Sequence, residues 1–316
     1  MDGRAAAARL RAQLAPRIDT LRERYGVMPA LAVIRVGDDP ASAIYVANKI
    51  KACAAAGLKS LSVALPDSIS TAEVVDLVER FNADPAVHGI LVQLPLPKTI
   101  DLRRVLESIS VEKDVDGFHL YNVGGLVVGD MVFPPCTPYG VLKLLEAEGV
   151  PIAGENVVVV GASNIVGKPM GLMLLQQGAT VSICHANTRD LAQYTIIADI
   201  LIVAAGRPRL IVASMVKTGA VVIDVGINRQ PDGSITGDVE FDGVSAKASR
   251  ITPVPGGVGP MTMSMLLENT VVAAERSAVA ATVKTSSYLA GCSAWMSFSI
   301  KRSAIPGARS ICRPVS

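Results

Sequence analysis

Tyr45 and Lys49 stand four residues apart in SAIYVANK, with Ser42 one turn earlier. On a helix these three positions share a face. A lysine beside an aromatic hydroxyl and partly removed from water loses proton affinity and can serve as an acid or a base. The same spacing also fits a plain solvated face. Gln93 ends the apolar run GILVQ ahead of Pro95 and Pro97. At the carboxyl edge of a parallel strand such a side chain points into a ligand crevice; its other reading is an amide capping a backbone group. Asp114 and Asp116 occur in EKDVDGFH, where Asp-Gly also suits a simple turn.

Two glycine-rich stretches suggest a different chemistry. In VVVVGASNIVGKP, residues 157–169, a strand runs into Gly161 and a helix begins near Gly167. Backbone N–H groups at such a junction cradle a pyrophosphate. The spacing Gly161-x-Ser163-x-x-x-Gly167 departs from the G-x-G-x-x-G fingerprint, and a tight turn with packing glycines is the alternative. The strand that follows leads into His185–Arg189 with no acid before Asp190. An acid there would bind the ribose hydroxyls of NAD, so its absence favours NADP, with NAD the lesser candidate. Pro253–Thr262 places three glycines between prolines ahead of a helix, as a ligand-wrapping loop or a connector between domains.

The elements that must position these residues follow from periodicity. A helix is expected over residues 1–25, strands at 31–36, 61–65 and 89–93, and helices at 42–56, 71–82 (capped by Thr71) and 102–108. An irregular stretch follows from Val111 to Pro138. A second unit opens with a helix over 140–148, then strands at 157–160, 180–184, 200–204 and 221–224 with a helix over 167–177, and closes with a helix over 261–280. Short β-branched strands alternating with helices predict an α/β chain with parallel sheets, the second doubly wound.

With 316 residues, half of them hydrophobic and 18% charged, the chain can bury a large core, which excludes a disordered or coiled-coil protein. A net charge of +2 argues against nucleic acid as a partner. No apolar run reaches a membrane span, and no secretory signal opens the chain, so a soluble cytoplasmic protein is expected. Five scattered cysteines and three separated histidines indicate neither a disulfide framework nor a metal site. Residues 277–316 hold five Lys or Arg, nine Ser and no acid, and the segment from 281 is expected to be an atypical, poorly ordered tail.

Taken together the motifs resemble the bifunctional methylenetetrahydrofolate dehydrogenase/methenyltetrahydrofolate cyclohydrolase family. VGDDPASAIYVANK, HGILVQLPLP, EKDVDGFH, PCTP, GASNIVGKP, VIDVGIN and TPVPGGVGPMT occur in family order across about residues 1–275. The resemblance implies two α/β domains with a cleft between them, the amino domain over 1–139 joined by the closing helix, and a Rossmann-like NADP domain over 140–260. It implies a catalytic Lys49, Tyr45 against the folate's aminobenzoate ring, Gln93 tuning Lys49, and Asp116 anchoring the pterin. Val92, Leu94, Pro255, Gly256 and Gly257 would complete the folate site. Gly161, Ala162, Ser163, Ile165, Gly167, Ile227 and Gly257 would line the cofactor site. The implied partners are tetrahydrofolate derivatives and a second copy of the chain. A dehydrogenase without the hydrolytic step, and a non-catalytic NADP sensor of the same fold, are the alternatives. A short-chain dehydrogenase also uses Tyr-x-x-x-Lys, but there the glycine loop precedes the pair.

Overall fold

The computed structural model describes residues 1–302, with side chains as far as residue 282. Helix α1 (Gly3–Tyr25) starts at Asp2, whose carboxylate accepts the Arg4 and Ala5 N–H groups, and stops at Gly26 in the left-handed region. Strand β1 (Ala30–Val36), helix α2 (Pro40–Ala56), strand β2 (Lys59–Leu65), helix α3 (Thr71–Ala83), strand β3 (Gly89–Val92) and helix α4 (Leu102–Ser108) follow. The cap of α3 is Ser70 and not Thr71: Ser70 and Glu73 form a reciprocal capping box. The three strands make a parallel sheet in the order β2-β1-β3, and β1 is buried along nearly its whole length. One face of that sheet packs Ile34, Ile90 and Val92 against Val74 and Val78 of α3 and Val105 of α4.

The stretch expected to be irregular contains helix α5 (Leu120–Val128) and the start of helix α6 (Cys136–Ala147). The pair Gly124-Gly125 hides α5 from propensity, yet Gly125 is required: a Cβ there would lie 2.8 Å from the Asp130 carbonyl carbon. Beyond it come β4 (Asn156–Val160), α7 (Gly167–Gln176), β5 (Thr180–Cys184), α8 (Leu191–Thr195), β6 (Ile200–Val203), β7 (Val221–Asp224), the two-residue strands β8 (Asn228–Arg229) and β9 (Ile235–Thr236), α9 (Phe241–Ser245), β10 (Arg250–Ile251) and α10 (Val258–Arg302).

The second sheet is parallel in the order β10-β7-β6-β4-β5. Its strands alternate burial between two clusters, one with Val157, Val159, Ile200 and Ile202 and the other with Val158, Val160, Leu201 and Val203, so both faces are covered. The chain leaves β4 for β5 on one side and returns to β6 on the other, which puts the topological switch between β4 and β6. The carboxyl ends there are Gly161 and Ala204.

Met1–Ala274 form one compact unit; from Glu275 the chain belongs to a second. Helix α10 includes the expected closing helix and runs on through part of the segment expected to be poorly ordered, as no proline lies between Pro260 and Pro306. Residues 303–316 of that segment lie outside the described residues.

Candidate active site

Helix α2 begins behind Asp39, which accepts the Ser42 N–H at 2.7 Å, and projects Tyr45, Asn48 and Lys49 from its middle turns. Lys49 Nζ donates to Gln93 Oε1 at 2.8 Å, and Gln93 Nε2 donates to the Leu94 carbonyl at 2.7 Å. The second bond fixes which end of the Gln93 amide meets the lysine. Burial lowers the proton affinity of Lys49, and the negative end of Asp116, with the Cys136 and Cys53 thiols, offsets part of that loss. Asp116 is itself held above the usual carboxylate range by burial; Lys49 pulls it back and Asp114 pushes it up again.

The two acids of EKDVDGFH separate cleanly. Asp114 is buried and accepts the N–H groups of Phe118 at 3.2 Å and His119 at 2.8 Å, plus Asn122 Nδ2 at 2.7 Å. Asn122 passes the tie on, its oxygen accepting from Val132 and Phe133 N–H. Asp114 therefore builds the loop, and Asp116 is the acid left beside Lys49. The peptide before Asp116 is clamped: the Val115 carbonyl accepts from Asn269 Nδ2 at 2.8 Å and from the Cys136 thiol at 3.2 Å. Asn269 also donates to the Pro134 carbonyl at 3.1 Å.

Tyr45 and Asn48 face a cavity of about 370 Å³ whose other walls include Ile227, Pro255, Gly256, Gly257, Arg4 and Arg11. Tyr45 is 40% exposed, so its ring is open to a planar ligand. Arg4, Arg11 and Asn48 escaped the sequence reading, although Arg4 and Arg11 lie seven apart on one helix and hence on one face. Leu94 is half-buried beside Gln93, whereas the Val92 side chain is spent in the core under β3.

The turn after β4 fits a phosphate-bearing cofactor. Gly161 has φ 120°, and a Cβ on it would meet the Ala204 carbonyl carbon at 2.7 Å; one on Gly167 would meet the Gly161 carbonyl carbon at 2.6 Å. Neither position has room for a side chain. Ser163 Oγ accepts from Val166 and Gly167 N–H and so starts α7. The amides of Ala162, Ser163, Asn164 and Ile165 donate to no protein group among the described residues, which leaves a row of donors for an anion. In the loop after β5, Asp190 takes a φ of 45° and its carboxylate accepts Gln193 Nε2 at 2.8 Å. The one acid nearby is thus engaged with α8, and His185–Arg189 offers none.

Residues 1–116 match the family model described as tetrahydrofolate dehydrogenase/cyclohydrolase, catalytic domain, and residues 135–278 match its NAD(P)-binding domain. The chain belongs to this family. The dehydrogenase/cyclohydrolase family includes the bifunctional protein FolD of Nitrosospira multiformis, 59% identical over 276 residues that span 87% of this chain and 96% of that protein. Among solved structures, the bifunctional FolD methylenetetrahydrofolate dehydrogenase/cyclohydrolase of Campylobacter jejuni is 53% identical, covers 87% of this chain and 98% of its own, and superposes with a TM-score of 0.85. The methylenetetrahydrofolate dehydrogenase-cyclohydrolase of Trypanosoma brucei, solved with NADP and an inhibitor, is 41% identical, covers 88% of this chain and 97% of its own, and has a TM-score of 0.84.

Proposed function

We propose that this chain oxidises 5,10-methylenetetrahydrofolate with NADP and hydrolyses the resulting 5,10-methenyltetrahydrofolate to 10-formyltetrahydrofolate. The observation that carries the reading is the 2.8 Å bond from Lys49 to Gln93 beside Asp116, a partly buried lysine of lowered proton affinity one turn along α2 from Tyr45, which lines the cavity. The turn from Gly161 to Gly167 would hold NADP, which would supply the hydride acceptor. The chain's residues do the rest. Tyr45 lies against the aminobenzoate ring, and Asp116 accepts from the pterin N–H groups. In the hydrolysis, neutral Lys49 takes a proton at Nζ from the water adding to the methenyl carbon. It returns that proton to N5 as the C–N5 bond breaks, and the remaining hydroxyl proton leaves to solvent as the formyl group forms. Gln93 cannot titrate; it holds Nζ on line.

The relatives are named as bifunctional, and Lys49 and Gln93 are both present, so neither a dehydrogenase alone nor a silent sensor is favoured. The test follows NADPH and methenyl absorbance together in wild type and Lys49→Met. Wild type should form NADPH with little methenyl build-up, and Lys49→Met should lose the hydrolysis while keeping some hydride transfer. Equal loss of both in a folded variant would refute the proton-carrying role.

The same reading divides the chain into a folate half over 1–139, to which the closing helix returns, and a cofactor half over 140–260. It also makes the protein a cytoplasmic homodimer. Leu175 on α7 and Ile183 on edge strand β5 are exposed apolar residues of the cofactor half, which supports pairing there. No helix among the described residues is long and apolar enough to cross a membrane.

A further inference from the structure

Two buried carboxylates in the cofactor half have no role in the chemistry above. Asp224 ends β7 at 4% exposure, and Asp238 is fully buried. Asp224 Oδ1 accepts the Gly226 and Asp238 N–H groups, each at 3.0 Å, and Oδ2 accepts the Val239 N–H at 2.9 Å. Asp238 Oδ2 accepts the Ala205 N–H at 2.6 Å and the Gly206 N–H at 2.8 Å, and Oδ1 accepts Asn228 Nδ2 at 2.7 Å. No cationic side chain pairs with either acid among the described residues.

Burying two acids without a cation is costly, so the arrangement calls for an explanation. An ionised carboxylate is an acceptor with about four lone-pair sites and no hydrogen, and can therefore gather N–H donors from separate pieces of chain. Those pieces are Ala205–Gly206 after β6, Gly226–Asn228 after β7, and Asp238–Val239. Each bears on the cofactor crevice. Gly161 of the phosphate turn packs on the Ala204 carbonyl, next to the peptide that Asp238 holds. Ile227 lies between Gly226, tied to Asp224, and Asn228, tied to Asp238, and it lines the cleft with Asp224. The chain is compressed around the pair: a Cβ on Gly237 would come within 2.5 Å of the Asp224 carboxyl carbon, and one on Gly226 would meet the Asp238 backbone nitrogen at 2.7 Å.

We infer that Asp224 and Asp238 are positioning residues for the nicotinamide cofactor, holding the Ile227 wall at a set distance from the phosphate turn. The inference rests on the NADP-dependent reading, and it makes the cofactor affinity, and not the hydrolytic step, depend on the pair.

The geometry ranks the variants. Asp224 accepts only from backbone N–H groups, so Asp224→Asn turns an NH₂ group toward at least one donor that cannot rotate away. In Asp238→Asn the new NH₂ can face Asn228, whose side-chain amide can flip and present its oxygen. Asp224→Asn should therefore raise the Kd for NADP about tenfold, equivalent to about 1.4 kcal/mol, and Asp238→Asn much less. Asn228→Ala, which only unhitches the wall from Asp238, is a milder second variant expected to weaken NADP several-fold.

The experiment titrates NADP into each variant without folate, and separately measures hydrolysis of 5,10-methenyltetrahydrofolate, which needs no cofactor. Weakened NADP binding in the order given, with wild-type hydrolysis, supports the inference. Wild-type NADP affinity in both Asp224→Asn and Asn228→Ala overturns it. So does hydrolysis falling in step with NADP binding in Asn228→Ala, which marks a general structural role. Should Asp224→Asn not fold, Asn228→Ala decides alone. Failure of the wild type to oxidise methylenetetrahydrofolate would instead count against the proposed activity.

Discussion

Gly161→Ala tests whether the turn after β4 is as tightly set as the structure shows. Its φ of 120° lies where side chains are strained, and the new Cβ would lie 2.7 Å from the Ala204 carbonyl carbon and 3.3 Å from the Ala205 nitrogen. Strain of that kind costs about 1–3 kcal/mol. Forcing a methyl into the gap between the ends of β4 and β6 adds about 1–3 kcal/mol. The total is roughly 2–6 kcal/mol, and each kcal/mol lowers Tm by about 2–4 °C in a chain of this size. Gly26→Ala is the control: its φ is 65° and nothing lies within 4 Å of its Cβ, so it isolates the backbone cost of about 1–2 kcal/mol. Urea unfolding and NADP titration on both variants separate the contributions. Gly161→Ala should be the less stable and should bind NADP more weakly, while Gly26→Ala keeps wild-type affinity. A Gly161→Ala protein no less stable than Gly26→Ala, or with unchanged affinity, would refute the crowding argument.

Asn269→Leu removes the amide that holds the Val115 and Pro134 carbonyls, leaving buried acceptors short of a donor at a cost of about 1–3 kcal/mol. It should raise KM for the folate several-fold and leave the NADP Kd unchanged, as steady-state kinetics and a cofactor titration will show. Asp116→Asn removes the charge that raises the proton affinity of Lys49. Because the base form is needed, the lower limb of the hydrolysis pH profile should move to lower pH at saturating substrate; an upward shift would contradict the assigned sign.

The candidate site residues were placed correctly on their elements from residue types and spacing where each placement depends on neighbours in the chain. Tyr45 and Lys49 share a helix face, Gln93 directly follows the last residue of β3, and Gly161 and Gly167 bracket a turn. What needed coordinates depends on residues far apart in the chain. Nothing local distinguishes Asp114 from Asp116; the distinction comes from Asn122, which occupies the first acid and not the second. Asp224 closes the strand expected over 221–224, and nothing local marks Asp238, since fourteen residues separate them and the N–H groups that Asp238 accepts at Ala205 and Gly206 belong to a third segment. Helix α5 was hidden by two glycines of poor propensity, one of them required by a backbone contact made only in the folded chain. The Ser70 cap was missed by one residue because Ser70 and Thr71 are both good caps, and the position of Glu73 relative to each decides between them.

Helix α10 starts at Val258 on the cavity wall and reaches the Val115 peptide with Asn269. At 1.5 Å per residue those eleven steps span about 16 Å, and each step also turns the helix by about 100°. The helix therefore acts as a ruler between the cavity wall at Val258 and the peptide before Asp116. Losing or gaining one residue along it would both change the length and swing Asn269 off the carbonyls it serves. The residue count between Val258 and Asn269 is thus a working dimension of the site, while the exposed turn Gln230–Ser234 between β8 and β9 can change length without altering that measure.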